Sequence, residues 1–288
     1  MGEGALQVFE AQRRRLTHLA YRMLGSLAEA EEAVQDAWLR WNGVDPSAVE
    51  DAPAWLAQVT TRLCLDRLKS ARARRETYVG PWLPEPLVEE VAQDPLERAE
   101  DVSVAFLLAL QRLSPLERAV FLLHDVFDQD YGEVARSLGR SEPACRQLAA
   151  RARQHVQDAK PRFAVSDAEA ARLAGAFMQA AASADMTALT ALLTEDAVLI
   201  SDGGGKRKAA LRPMIGRDDV MALLRGLAWR GSGWGAVDGA RLVRINGLPG
   251  VVLNSDDGPM TMSFEPSDDG RVAAIYIVRN PEKLRGVS

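Results

Sequence analysis

Asp130 to Val156 reads DYGEVARSLGRSEPACRQLAARARQHV, and the spacing of its apolar residues predicts two short helices meeting at a sharp turn. Val134, Ala135 and Leu138 recur at helical intervals on one face, and Gly139 follows as a residue able to take the left-handed backbone that ends a helix. Ser141 stands where an N-cap belongs, and Pro143 falls in the first turn, whose amides lack intrahelical partners. In the second helix Cys145, Leu148, Ala149 and Ala152 share the inward face, which leaves Arg146, Gln147, Ala150, Arg151 and Arg153 outside. A short glycine-containing turn and a basic second helix match a DNA-binding helix-turn-helix, whose second helix enters the major groove. Arginines there fork onto guanine edges or bind phosphates. A plain helical hairpin with a solvated basic face has the same local pattern, so the flanks decide between the two.

The flanks are unlike one another. Across 288 residues the net charge is -5 and 47% of residues are hydrophobic, enough to furnish more than one core. Thr60 to Glu76 nevertheless carries Arg62, Arg67, Lys69, Arg72, Arg74 and Arg75 against Asp66 and Glu76. Ala28 to Asp51 is acidic, with Arg40 as its lone cation. This asymmetry predicts separate surfaces for separate partners. Cys64 and Cys145 occupy apolar positions of helical patterns and read as buried thiols in a reducing compartment, with no disulfide, metal site or cofactor expected. The start, MGEGALQVFEAQRRR, lacks the apolar core of a signal peptide, and no run approaches a membrane span. The expectation is a cytoplasmic chain, off the membrane and monomeric when free.

Apolar periodicity predicts helices over Leu6–Gly25, Ala28–Trp41 and Ala54–Tyr78, with the polar loop Asn42–Pro53 between the last two. The acidic face of the second helix is either solvated or a docking surface for another protein. A polar loop before a basic helix suits unstacked single-strand bases and their phosphates. In this order, LGSLAEAEEAVQDAWLRW, APAWLAQVTTRLCLDRLKSARAR and LSPLERAVFLLHDVFDQDYGEVARSLGRSEPACRQLAARAR resemble sigma-70-type factors of the extracytoplasmic-function class, over about the first 160 residues. The resemblance implies an all-α amino-terminal part. Its segments are a region 2 helical bundle (1–79, chiefly Leu6 to Tyr78), a linker (80–104) and a region 4 helix-turn-helix (105–163). It implies core RNA polymerase and promoter DNA as partners. Polymerase binding would fall to Glu32, Gln35, Asp36, Leu39 and Arg40, and minus-ten recognition and melting to Arg62, Arg67, Lys69, Arg72 and Arg74. Minus-thirty-five binding would fall to Ser141, Arg146, Gln147, Ala150, Arg151 and Arg153, with Arg146, Gln147 and Ala150 facing bases and Arg151 a phosphate. Glu142, at the helix start, is assigned to the helix dipole rather than to a base.

Gly80 to Asp101 is proline-rich and acidic at its centre, and is not expected to pack as one regular element. Ser114, Pro115 and Glu117 spell a capping box for a helix running through Phe127. From about Asp167 the character changes. Helices are expected at Ala168–Ala184, Met186–Leu193 and Asp218–Leu227, and strands at Ala197–Ser201, Ala240–Ile245, Gly250–Asn254, Met260–Pro266 and Val272–Val278. Helices followed by an antiparallel sheet imply an α+β cone with an enclosed pocket.

This second part (164–288) resembles the SnoaL-like group of the NTF2-like cone fold, and WLPEP at Trp82 to Pro86 resembles the mark of the sigma-factor subgroup that carries such an extension, group 41. The resemblance implies a regulatory domain acting in cis. Trp82, Leu83 and Pro84 of the linker would meet Asp202, Gly203, Gly204, Gly205 and Lys206 of the glycine turn and Asn280, Pro281, Lys283 and Leu284 of the tail. Glu282 stands where the subgroup usually has aspartate. An unidentified small ligand in the cone pocket completes the expected partners. SnoaL-type cyclases use an acid or base in that pocket, but His18, His124 and His155 all precede the cone, and Asp202 and Glu265 form no legible pair. As a candidate for catalysis, a lone carboxylate near a turn is usually just a turn residue. The expected function is therefore a promoter-specificity subunit and not an enzyme. The alternatives are a ligand-sensing helix-turn-helix regulator and, behind it, a cyclase or isomerase.

Overall fold

A computed structural model describes residues 3–45, 48–90, 103–156, 167–229, 240–255 and 258–287. The chain forms two compact units, Met1–Glu76 with Ala105–Lys160, and Thr77–Val104 with Pro161–Ser288. The two helical modules thus form one unit, and the linker belongs with the cone.

In the first unit α1 (Glu3–Leu24), α2 (Leu27–Trp41) and α3 (Ala52–Glu76) form a bundle. Ser26 caps α2 by accepting from the Glu29 amide at 3.3 Å. Ala30, Ala33 and Ala37, all fully buried, let the helix backbones approach closely. Trp41 fills the remaining volume, donating its indole N–H to the Ala5 carbonyl at 2.9 Å and packing 5.3 Å from the Trp55 ring. Cys64 is buried there, and burial pushes its thiol up to about 12, so it stays protonated.

Further along come α4 (Val104–Arg112) and α5 (Pro115–Phe121), the latter begun by the Ser114–Glu117 capping box with both reciprocal bonds made. The helix expected to reach Phe127 ends at Phe121 and opens into a π-helical turn, Leu122–Val126, where the Phe127 amide bonds to the Leu122 carbonyl at 3.0 Å. The extra residue in that turn accompanies the burial of Phe127, whose ring lies 5.3 Å from the Arg15 guanidinium and 5.6 Å from that of Arg22. Then follow α6 (Tyr131–Leu138), Gly139 in the left-handed conformation (φ 62°), and α7 (Glu142–Val156). The turn has the three residues 139–141 between those helices. Cys145, Ala149 and Ala152 are buried, and Leu148 is half-buried.

The second unit holds α8 (Asp167–Ala182), α9 (Met186–Leu192), α10 (Arg217–Trp229) and a seven-stranded sheet in the order β1-β4-β5-β6-β7-β2-β3. Its strands are β1 (Val88–Glu90), β2 (Leu193–Asp202), β3 (Met214–Ile215), β4 (Arg241–Ile245), β5 (Leu248–Ser255), β6 (Gly258–Pro266) and β7 (Val272–Val278). One expectation is corrected here. The sheet is mixed rather than antiparallel: β2 runs parallel to β7, because α10 and the β4–β6 meander lie between them and supply a crossover long enough for parallel pairing. The linker, not expected to pack as one regular element, contributes one short strand. Past Pro84 and Pro86 the proline-free Val88–Glu90 pairs antiparallel with β4 as an edge strand, Val88 opposite Ile245.

Alternation along β5, β6 and β7 sends Val251, Leu253, Met260, Met262, Phe264, Ile275 and Ile277 to the face covered by α8, α9 and α10. Phe177 of α8 and Phe264 pack 4.9 Å apart in that layer. Between the sheet and these helices the described residues form an apolar core.

Candidate nucleic-acid interface and linker clasp

The outer face of α7 carries exposed Arg146, Gln147, Ala150 and Arg153, with Arg151 exposed beside them and Ser141 exposed in the preceding turn. The hairpin holds this face by a second capping box, in which the Asp130 carboxylate accepts from the Glu133 amide at 2.8 Å and Glu133 accepts from the Asp130 amide at 3.2 Å. Three arginines have acidic neighbours. Arg146 pairs with Glu142 at 3.3 Å, Arg151 with Glu117 at 2.9 Å, and Arg153 with Asp125 at 2.6 Å. Glu142 thus meets the arginine one turn on, besides lying at the start of α7. Burial pushes the Glu117 carboxyl up, but the Ser114 hydroxyl and amide and the Arg151 guanidinium together hold it below its ordinary value.

On α2, Glu32, Gln35, Leu39 and Arg40 are exposed and Asp36 is half-buried; Leu39, at 63% exposure, is a large apolar side chain left in solvent. Gln35 lines a groove of about 560 Å³ between α1 and α2 with Phe9, Val34 and Trp38. The expectation that α2 acids and α3 cations serve separate surfaces meets a correction at Arg67. It donates to Glu32 at 2.8 Å and to Asp36 at 2.7 Å, because α2 and α3 pack side by side and bring opposite charges together. Lys69 pairs with Asp66 at 2.7 Å. Arg62 donates Nε to the Ser137 carbonyl of α6 at 2.9 Å, and Arg62 and Lys69 line a cleft with Pro115, Leu116 and Arg140. The side chains of Arg72 and Arg74 lie outside the described residues.

In the second unit Asp202 ends β2 fully buried. Its Oδ1 accepts from the Tyr78 hydroxyl at 2.6 Å and the Gly204 amide at 3.0 Å; its Oδ2 accepts from the Leu83 amide at 2.8 Å and the Lys283 ammonium at 2.7 Å. Lys283 also donates to the Leu83 carbonyl at 2.5 Å and sits 4.0 Å from the Trp82 ring centroid. Asn280 donates to the Tyr78 hydroxyl at 2.8 Å. Linker, glycine turn and tail therefore close on one carboxylate. The glycines are dictated by closeness: a Cβ on Gly203 would lie 2.2 Å from the Arg207 carbonyl oxygen, and one on Gly204 (φ 61°) 2.3 Å from Asn280 Nδ2. Leu83, Pro84 and Leu284 are buried, Trp82 and Pro281 half-buried, and Gly205 and Lys206 exposed. Glu282 pairs with Lys206 at 2.5 Å, so the glutamate at that tail position ties tail to turn.

Asp202, which the resemblance places among the residues meeting the linker, does contact it, and Tyr78 is a member that the sequence reading omits. Its only signal is a tyrosine at the end of a basic helix, directly before the proline-rich stretch. Burial and the Asp202 charge push the Tyr78 hydroxyl above its usual value, keeping it a donor. Glu265, the other carboxylate weighed for catalysis, lies on the sheet face opposite Phe264 and accepts from the Tyr276 hydroxyl at 2.5 Å. Both acids considered are thus engaged in bonds away from the apolar layer.

Residues 8–74 match the family description "Sigma-70 region 2" and residues 103–156 match "Sigma-70, region 4". The ECF RNA polymerase sigma factor SigJ of Mycobacterium tuberculosis (strain H37Rv) is 41% identical over 96% of this chain and 92% of its own. The probable ECF RNA polymerase sigma factor SigI of the same species is 36% identical over 64% of this chain and 65% of its own. The crystal structure of M. tuberculosis SigJ superposes with a TM-score of 0.79 at 38% identity, covering 98% of both chains.

Proposed function

The chain belongs to the extracytoplasmic-function RNA polymerase sigma factors, and from that membership we propose how its parts divide the work. As a sigma factor it binds core RNA polymerase and promoter DNA and sets where transcription begins. In our reading the exposed α2 face around Glu32, Gln35, Asp36, Leu39 and Arg40 docks on the polymerase. The cations of α3 and the polar loop before it capture the opened minus-ten strand, and the α7 face around Arg146, Gln147 and Ala150 reads the minus-thirty-five element. Strand opening is driven by the binding of unstacked bases, with no covalent step and no nucleotide hydrolysis. The site of action is the cytoplasm, where the polymerase works.

The observation that carries the regulatory half of this reading is the set of four bonds on Asp202. The segment joining the two helical modules is held by the cone through a buried ion pair and an added strand, so the cone acts on the connection between those modules. Cis control follows: whatever loosens the clasp changes how freely the modules separate. Run-off transcription with purified core polymerase tests the first half, and absence of any transcript from a promoter upstream of the chain's own gene would refute it. Deleting the residues from Asn280 onward tests the second. Promoter output is expected to change while polymerase docking persists, and unchanged output would count against cis control.

A further inference from the structure

Tyr131 has no role in any of the surfaces described above, yet it is where the two helices of the hairpin meet the outer arginines. It is the first residue of α6, immediately after the Asp130 cap, and so its backbone is fixed by the capping box. One face of its ring packs on His124, with centroids 3.8 Å apart and planes inclined by 31°. His124 is in turn anchored through Nδ1 to the Gln129 carbonyl at 2.7 Å. The Arg146 guanidinium carbon lies 4.5 Å from the Tyr131 centroid, and the Tyr131 hydroxyl accepts from Arg153 Nη2 at 3.1 Å. Arg146 and Arg153 are seven residues apart on α7 and share its outer stripe, so one aromatic side chain contacts both cations of that stripe.

We propose that Tyr131 is a positioning residue for promoter recognition, holding the Arg146 guanidinium at the orientation in which it meets a base edge. This rests on the assignment of the α7 face to the minus-thirty-five element. A free arginine has many rotamers, and ordering it on DNA costs side-chain entropy. A guanidinium already seated on an anchored ring forfeits less of that on binding. The competing partner is weaker in water: Glu142 and Arg146 are each more than half exposed, and an ion pair of that kind is solvent-screened. The stack is made on a ring whose own position is fixed by its contact with the anchored His124. The hydroxyl serves Arg153 separately, so the two roles of Tyr131 are divisible by substitution.

The test uses the full-length chain with core polymerase on a promoter fragment and on fragments altered one base pair at a time in the minus-thirty-five element. Arg146→Ala is expected to lower affinity about tenfold and to relax discrimination at one base pair. Tyr131→Leu is expected to lower affinity roughly threefold and to relax discrimination at that same base pair. In the Arg146→Ala background it should have almost no further effect. Tyr131→Phe, which keeps the ring, should keep the discrimination, and this variant decides the matter if the leucine form folds poorly. Normal discrimination in Tyr131→Leu, independent effects of the two substitutions, or lost discrimination in Tyr131→Phe would overturn the proposal while leaving the assignment of the α7 face intact. An Arg146→Ala chain with unaltered base discrimination would overturn both.

Discussion

Asp202 is fully buried with both carboxylate oxygens engaged, and its cationic partner Lys283 has only 11% of its side chain exposed. Removing one member of such a pair strands the other, so Asp202→Ala is expected to destabilise the linker–cone unit by about 3 kcal/mol or more, read as a lowered urea midpoint. A companion Lys283→Met substitution should recover part of that loss by removing the stranded charge. Tyr78 adds a pH dependence to the same cluster. Its folded value lies above the ordinary tyrosine value of about 10. The hydroxyl's contribution is therefore complete below that pH and is lost as pH rises through the higher folded value. An alkaline titration of stability should show this fall in the native chain and lack it in Tyr78→Phe. These residues also mark what local sequence conveys and what it omits. Glycines at 203–205 announce a tight turn, but nothing in the letters says that the aspartate before them is buried, because its burial is supplied by a linker and a tail more than 70 residues away on either side.

At the scale of elements, caps and turns follow their local residues closely. The Ser114–Glu117 and Asp130–Glu133 boxes, the left-handed Gly139 and the alternating strands of the cone depend on neighbours within a few positions. Ser114→Ala should cost about 1 kcal/mol at neutral pH, measured by thermal or urea unfolding of the helical unit. Because the folded value of Glu117 is depressed, the part its carboxylate contributes is present above the ordinary carboxylate range and disappears as pH falls through the lower folded value. The cost of Ser114→Ala should shrink correspondingly in acid. The π-turn at Leu122–Val126 and the strand Val88–Glu90 are not legible locally. The first accompanies the seating of Phe127 beside Arg15 and Arg22 of α1, and the second exists because β4 offers an open edge to which any proline-free extended stretch can add.

Within the helical unit the two modules are held together by Arg118 donating to the Met23 carbonyl at 2.5 Å, Arg15 to the Phe127 carbonyl at 3.0 Å and Arg62 to the Ser137 carbonyl at 2.9 Å. The names of the two promoter elements place them about 25 base pairs apart, which is roughly 85 Å of duplex at about 3.4 Å per base pair. On the proposed assignment of one element to each module, modules in contact cannot occupy both, so this packing is expected to open on the promoter. A dye pair at Ala11→Cys on α1 and Gln154→Cys on α7, both exposed positions, should report a separation that grows by tens of ångströms when polymerase and promoter DNA are added, an order set by that duplex length. Buried Cys64 and Cys145 make poor competing labelling sites. An unchanged energy transfer would contradict the opening. By itself the sequence determined most of the helices and strands and the helix-turn-helix, since these rest on periodicities and caps whose physics is local, and it carried the motifs by which the cone and the family are recognised as resemblances. Only the tertiary structure decided that the helical modules pack as one unit, that Arg67 is turned onto the acids of α2, and that the linker is clasped at Asp202. Each of these is a meeting of groups far apart in the chain, and the free energy of such a meeting depends on burial and on which charges face one another after folding.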